Sequence, residues 1–260
     1  MATLHDQPAT ADDLMPLALT SYGHFTSMRA DDDGRIRGLS LHLDRLDRDS
    51  RAVFGTGVDP QQVRGLVRQA LEGRSEPCVV RVTHYDPAVN LGRPVDADQP
   101  QLLVTVRPAG ALPPAPLTAM SVPYERDVPL VKHCGLFGAL HARRSAQLAG
   151  FDDALFVGTD GRVSEGGTWN LAFIDVDGTV IWPEAPVLPG VTMALLQERS
   201  EHKVAPVTLD EAKGMAAAFA TNTSIGVRAL SAIDTTALAV EHSVLTELHE
   251  LYLSVPGEEL

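Results

Sequence analysis

The chain has 260 residues, 44% of them hydrophobic and 21% charged, with a net charge of −13. That length suffices for one large domain or two modest ones with a real core, and the acidic balance argues against a nucleic-acid partner, whose phosphates it would repel. No stretch approaches ~20 uninterrupted apolar residues, so no membrane span is expected; Cys78 and Cys134 are isolated thiols and the N-terminus lacks a signal pattern, so the expected location is cytoplasmic.

In chain order, residues 1–16 are polar and read as loose. Leu17 to Met28 reads as a strand bent at Gly23, and Asp31-Asp-Asp-Gly34 as a hairpin turn into Arg35–Leu39. Ser40 caps a helix to about Val53, closed by Gly55, with Leu39, Leu43, Leu46 and Val53 as its buried stripe. Asp59-Pro60 opens a second helix to Leu71. Strands follow at Cys78–His84 and Gln101–Arg107. Ala109 to Pro116, with three prolines and a glycine, is the linker between a small domain, 1–112, and a larger one, 113–260. The larger part opens with a strand at about Thr118–Pro123 and a helix from Gly138 to Leu148, with Gly150 past its end. Asp160-Gly161 and Asp177-Gly178 are hairpin turns in a meander of Ala154–Gly158, Arg162–Ser164, Asn170–Val176 and Thr179–Trp182. Helices at Val191–Arg199, after the Thr208–Glu211 capping box, and at Val244–Leu253 surround a strand at Ala217–Thr221. Strand pairs with interspersed helices give the fold class: α+β, in two domains.

Lys132 is one of three lysines, and it alone sits in an apolar, glycine-flanked run, Val128-Pro-Leu-Val-Lys-His-Cys-Gly-Leu-Phe-Gly138. Burial there favours the neutral, nucleophilic amine suited to a Schiff base with a carbonyl; the plainer reading is an amine that snorkels to water. Lys203 and Lys213 read as surface charges. The nine histidines are scattered without metal-ligand spacing, so no metal is expected. Three turn segments combine small and hydroxyl residues. Glu165 precedes Gly166-Gly167, which permit close approach of backbone or ligand. Leu188-Pro-Gly190-Val-Thr192 enters a helix, where free N–H groups can seat an anion or simply be capped. Thr221-Asn-Thr223-Ser224 is a hydroxyl-rich turn after a strand.

Taken in order, these segments resemble the fold type IV pyridoxal-phosphate enzymes, the class IV aminotransferase family that includes branched-chain and D-amino-acid aminotransferases and aminodeoxychorismate lyases. The resemblance is carried by Lys132, by Gly150-Phe-Asp-Asp-Ala-Leu-Phe-Val, by Asp160-Gly-Arg-Val-Ser-Glu165 with Asn170, by the two later turns, and by His42-Leu-Asp-Arg45-Leu46 upstream. It spans roughly Tyr22 to Asp234 and implies a small N-terminal and a larger C-terminal α/β domain. It further implies pyridoxal 5′-phosphate as cofactor, Lys132 as the Schiff-base lysine, Glu165 at the pyridine nitrogen, and a phosphate held by Arg45, Val191, Thr192, Thr223 and Ser224. The partners it implies are an amino acid, a 2-oxo acid and a second copy of the chain in a homodimer.

The expected activity is therefore an aminotransferase. Two alternatives stay open: a lyase of the aminodeoxychorismate type that releases pyruvate, and a non-catalytic family member with a binding role. Three positions depart from the family pattern: Phe137, where branched-chain aminotransferases carry a tyrosine, and Gly135 and Met193, where the family often has asparagine and arginine. The Phe25-Thr26-Ser27 run is closer to the lyases. Arg81 is the candidate for the substrate carboxylate, ahead of His84, Tyr85, Arg93 and Arg107.

Overall fold

The computed structural model describes residues 2–4 and 7–260. The described chain divides into two compact units: one runs to Gly110 and also takes Val131–Gly135 and Pro256–Leu260, and the other holds Ala111–Leu130 and Leu136–Val255. Neither return to the first unit is visible in the sequence.

The first unit contains β1 (Ala2–Leu4), β2 (Gln7–Pro8), α1 (Ala11–Thr20), β3 (His24–Ala30), β4 (Ile36–Arg37), α2 (Leu39–Phe54), α3 (Pro60–Leu71), β5 (Cys78–Tyr85) and β6 (Gln101–Pro108). The expected loose N-terminus is instead two short strands and a helix; residues 1, 5 and 6 lie outside the described residues. Thr10 and Asp13 form a capping box that starts α1 inside the segment read as loose, and the last turn of α1 takes up the start of the segment read as strand. Ser40 is not the cap of α2. Gly38 holds that position at φ 67°, and the Ser40 hydroxyl and N–H bond Glu258 instead. The strands form one sheet in which Gly257–Glu258 pairs β4, followed by β3, β5, β6, β1 and β2. Met28, Val80, Val82, Leu102 and Val104 on one face pack with Leu39, Leu43, Leu46, Val63 and Val67 of the two helices. Each fully buried Leu or Val there contributes about 1.5–3 kcal/mol. Because side chains alternate along a strand, Phe25 and Arg81 fall on the other face. β4 pairs β3 only at Ala30, which leaves the start of β3 for Val131–Gly135. Phe25 donates to the Lys132 carbonyl, and Cys134 to that of Gly23.

The second unit contains β7 (Leu117–Pro123), α4 (Phe137–Leu148), β8 (Asp153–Val157), β9 (Val163–Gly166), β10 (Asn170–Ile174), β11 (Val180–Pro183), α5 (Val191–Arg199), β12 (Lys203–Ala205), α6 (Leu209–Lys213), β13 (Ala217–Asn222), β14 (Gly226–Ile233), β15 (Thr236–Ala237) and α7 (Ser243–Ser254). The expected meander is present as β8 to β11. β14 was not expected; it pairs β13 antiparallel and β7 parallel, and β7 pairs β8 parallel. β9 pairs both β8 and β10, so the sheet closes on itself around Leu117, Leu155, Trp169, Leu171, Phe173 and Leu230. Closure leaves fewer open edges to cover. Lys213 is not a bare surface charge: its amine lies 2.8 Å from the Asp234 carboxylate.

Candidate functional site

Each unit carries part of the predicted set. In the first, Lys132 lies opposite Phe25, with its amine 4.9 Å from the ring centroid. The Lys132 N–H donates to the Asp49 carboxylate of α2 at 2.9 Å. Arg45, one turn earlier on α2, is 6% exposed, and its guanidinium donates to the Thr26 hydroxyl at 2.8 Å. The same hydroxyl lies 2.7 Å from His42 Nδ1. Burial holds His42 well below the usual histidine range, and the positive charges of Arg45 and Lys132 push it the same way. The ring is thus held neutral beside Arg45 and Lys132. Arg81 stacks 3.5 Å from the Phe25 ring centroid, with Nε on the Thr83 hydroxyl and Nη2 3.7 Å from Cys134 Sγ. Among the described residues no carboxylate pairs with it. The other proposed carboxylate partners have bonds elsewhere: His84 to Ser50 and His24, Tyr85 to the Asp13 carbonyl, Arg93 to Asp96, and Arg107 to the Pro108 carbonyl.

In the second unit Glu165 lies next to the end of β9, opposite Asn170 on β10, and both are buried. Glu165 Oε2 accepts the Leu188 N–H at 3.3 Å, while Asn170 Nδ2 donates to the Leu188 carbonyl at 2.8 Å. This pair fastens the Leu188-Pro-Gly190 turn to the strand that carries the acid. α5 then begins at Val191 with no side-chain cap on Gly190, and Thr192 is buried. Thr223 and Ser224 are half-buried in the turn between β13 and β14, where Asn222 Oδ1 accepts the Ser224 N–H. Asn222 Nδ2 donates to the Thr168 carbonyl, tying this turn to the loop after Glu165. Gly166 and Gly167 leave room for protein: a Cβ on Gly166 would strike the Trp169 ring, and one on Gly167 would come 2.8 Å from Asp153 Oδ1. Asp153 in turn receives Arg143 and the Trp169 indole N–H.

A model of the family described as amino-transferase class IV matches residues 23–233. The chain belongs to this family. Three solved structures extend the likeness of fold beyond the matched residues. A branched-chain aminotransferase from Thermoproteus uzoniensis, with norvaline, superposes at TM-score 0.84 with 19% identity, over 97% of this chain and 93% of that one. A proposed 4-amino-4-deoxychorismate lyase from Legionella pneumophila gives 0.83 and 21%, over 97% of each chain. A hypothetical aminotransferase from Mycobacterium tuberculosis, in its α-ketoglutarate and PMP bound form, gives 0.79 and 18%, over 96% and 94%. At these identities the likeness is one of fold. No curated protein matches. Within the class IV framework, sequence reasoning missed Thr26, His42 as a partner of Thr26, and Asp49. Thr221, read only as the start of a hydroxyl-rich turn, has a fully buried hydroxyl with no hydrogen-bond partner among the described residues. Only the histidine of the His42-x-x-Arg45 spacing carried a signal that could have found one of them.

Proposed function

We propose that the chain is a pyridoxal-phosphate-dependent aminotransferase that moves an amino group between an amino acid and a 2-oxo acid. The observation that carries this reading is Lys132, a half-buried residue tied through its backbone to β3 and α2 in the unit that also buries Arg45. The donor chemistry of each unit fits the cofactor. The uncapped start of α5 leaves N–H groups at Val191 and Thr192 for a phosphate, and the orphaned Thr221 hydroxyl marks room for a polar partner in the same unit. In its own unit Arg45 offers a rigid fork suited to phosphate, and in the second unit Thr192, Thr223 and Ser224 offer hydroxyls. When bound, pyridoxal phosphate supplies an electron sink for negative charge at the substrate Cα.

The chain's own residues would do the rest. Lys132 supplies the amine that joins the cofactor and then carries a proton to and from the substrate Cα, a step worth ~10²–10⁴-fold when the base is positioned. Glu165, held by Leu188 and Asn170, keeps a proton on the pyridine nitrogen. Arg81, stacked and without an acid partner, takes the substrate carboxylate. The PMP and α-ketoglutarate of the Mycobacterium tuberculosis relative and the norvaline of the archaeal one support this substrate class. A homodimer belongs to the same proposal: Val128, Leu130, Phe137 and Leu140 are exposed within thirteen residues and offer apolar surface for it to cover.

The test is reconstitution with pyridoxal 5′-phosphate, borohydride reduction and mass spectrometry. The wild type is expected to carry the cofactor covalently on Lys132 and Lys132→Ala to carry none; equal labelling of the variant overturns the assignment. Colour change with an amino donor then identifies transamination. The second reading, a lyase, is favoured by Phe25-Thr26-Ser27 and by the absent hydroxyl at Phe137, and pyruvate released without an added oxo acid would mark it.

A further inference from the structure

We infer that Asp49 is a positioning residue for Lys132 and acts through the lysine's backbone; the inference rests on the reading of Lys132 as the cofactor's lysine. Asp49 is 1% exposed. Its Oδ2 accepts the Lys132 N–H at 2.9 Å, while Oδ1 is held by Arg48 through Nε at 3.1 Å and Nη2 at 2.7 Å. Arg48 therefore compensates the buried charge. The carbonyl of the same lysine accepts the Phe25 N–H at 2.9 Å. Both polar backbone groups of one residue are thus fastened, to two different elements. A bond from a peptide N–H to an ionised carboxylate is about twice as strong as a neutral one. The segment's backbone also meets the start of β3, and this bond ties it to the helix.

The placement of Asp49 on α2 adds the second half. His42, Arg45 and Asp49 recur at helical spacing, so one face of one helix carries both the guanidinium proposed for the phosphate and the anchor of the lysine. Helix α2 thereby sets the distance between Arg45 and the Lys132 backbone. Misplacement of a reacting group by ~1 Å costs on the order of 10²-fold in rate, which makes a rigid spacer between these two groups useful to the reaction as well as to the fold.

The test compares Asp49→Ala, which removes the acceptor, with Asp49→Asn, whose amide oxygen can still accept from Lys132. Both are loaded with pyridoxal 5′-phosphate and read well below their melting points. In Asp49→Ala, borohydride-fixed labelling of Lys132 at equal, limiting cofactor is expected to fall about tenfold, the scale of one charge-assisted hydrogen bond. Deuterium uptake across Val131–Gly135 should quicken, the pH titration of the visible band should move, and Asp49→Asn should restore most of each. A lowered melting point with labelling, uptake and titration unchanged overturns the inference, because Asp49 then only braces the fold. Should Asp49→Ala not fold, Asp49→Glu keeps the charge but displaces the acceptor by about one bond, ~1.5 Å. A wild-type titration in that variant overturns the inference equally. Wild-type protein that never labels at Lys132 removes the underlying reading and this inference with it; labelled wild type beside an indifferent Asp49→Ala removes this inference alone.

Discussion

Arg81 is the residue whose surroundings most narrow the choice of substrate. A guanidinium stacked on an aromatic ring keeps its edge for a planar acid, and here the Nε and one Nη have only weak neutral partners, the Thr83 hydroxyl and the Cys134 sulfur. Arg81→Gln removes the charge while leaving a polar side chain. It is expected to raise KM for an amino-acid donor by ten- to a hundredfold, the scale of one lost charged contact, and to leave an amine donor without a carboxylate unaffected. Steady-state kinetics on the two donor classes check this; an equal loss for both would place Arg81 outside substrate recognition. At this scale the sequence was legible where chemistry is rare: a single lysine in an apolar run, an arginine three after a histidine, a glutamate before two glycines. Thr26 and Asp49 were not, because their partners lie across the fold. The Asp49–Lys132 bond spans 83 positions, and no local pattern encodes such a pairing.

Among the elements, α5 shows how a turn can be specified by the residue it packs against. Gly190 has an ordinary φ of −73°, so its lack of a side chain answers to space and not to backbone angle. A Cβ there would collide with Asn170 Oδ1, and Asn170 is pinned in place by the Leu188 carbonyl. Gly190→Ala is expected to destabilise the protein by ~1–3 kcal/mol through overpacking, and to weaken cofactor binding because Asn170 also meets Glu165 at 3.5 Å. Thermal melts with and without pyridoxal 5′-phosphate read both effects. Gly65, inside α3 with open space for 4 Å around the point a Cβ would occupy, is the contrast: Gly65→Ala should stabilise by ~0.5–1 kcal/mol. Elements were predictable where a cap marked the start, as for α3 and α6. The α1 helix was missed although Thr10-x-x-Asp13 is a capping box, because its first turns fall in the polar residues up to 16 that read as loose and its last turn in the apolar stretch from Leu17 that reads as a strand. β14 was missed because its alternation is interrupted by small residues, and its neighbours β13 and β7 supply the pairing that makes it a strand.

At the scale of the molecule, the fold class was readable from the order of elements, whereas closure of the second unit's sheet was not, since it depends on one strand finding two partners. Burial of titratable groups, which only the folded chain reveals, yields a further expectation. The first unit buries His24 and His84 edge to face, 5.3 Å apart, with Phe54 packed on both. Desolvation pulls His24 down to about 3, helped by the neighbouring charge of His84, and pulls His84 down to about 4; His42 is lowered as well. Each ring stays neutral in the native state at pH values where the unfolded chain, with histidines near 6.5, has already taken up a proton. Stability is therefore level above about pH 6.5 and falls as the pH drops toward 4, by ~1.4 kcal/mol per pH unit for each such ring. The carboxylates whose range is lowered, Asp13, Asp47, Glu211 and Asp234, lose their contributions only nearer pH 4, so the window between belongs to the histidines. Urea unfolding at pH 7.5, 6 and 5 should show this decline, and His24→Asn should make it shallower by one ring's share whatever its effect at pH 7.5. A slope unchanged by that substitution would mean that His24 titrates alike in the folded and unfolded chain, and that its burial is not holding off the proton.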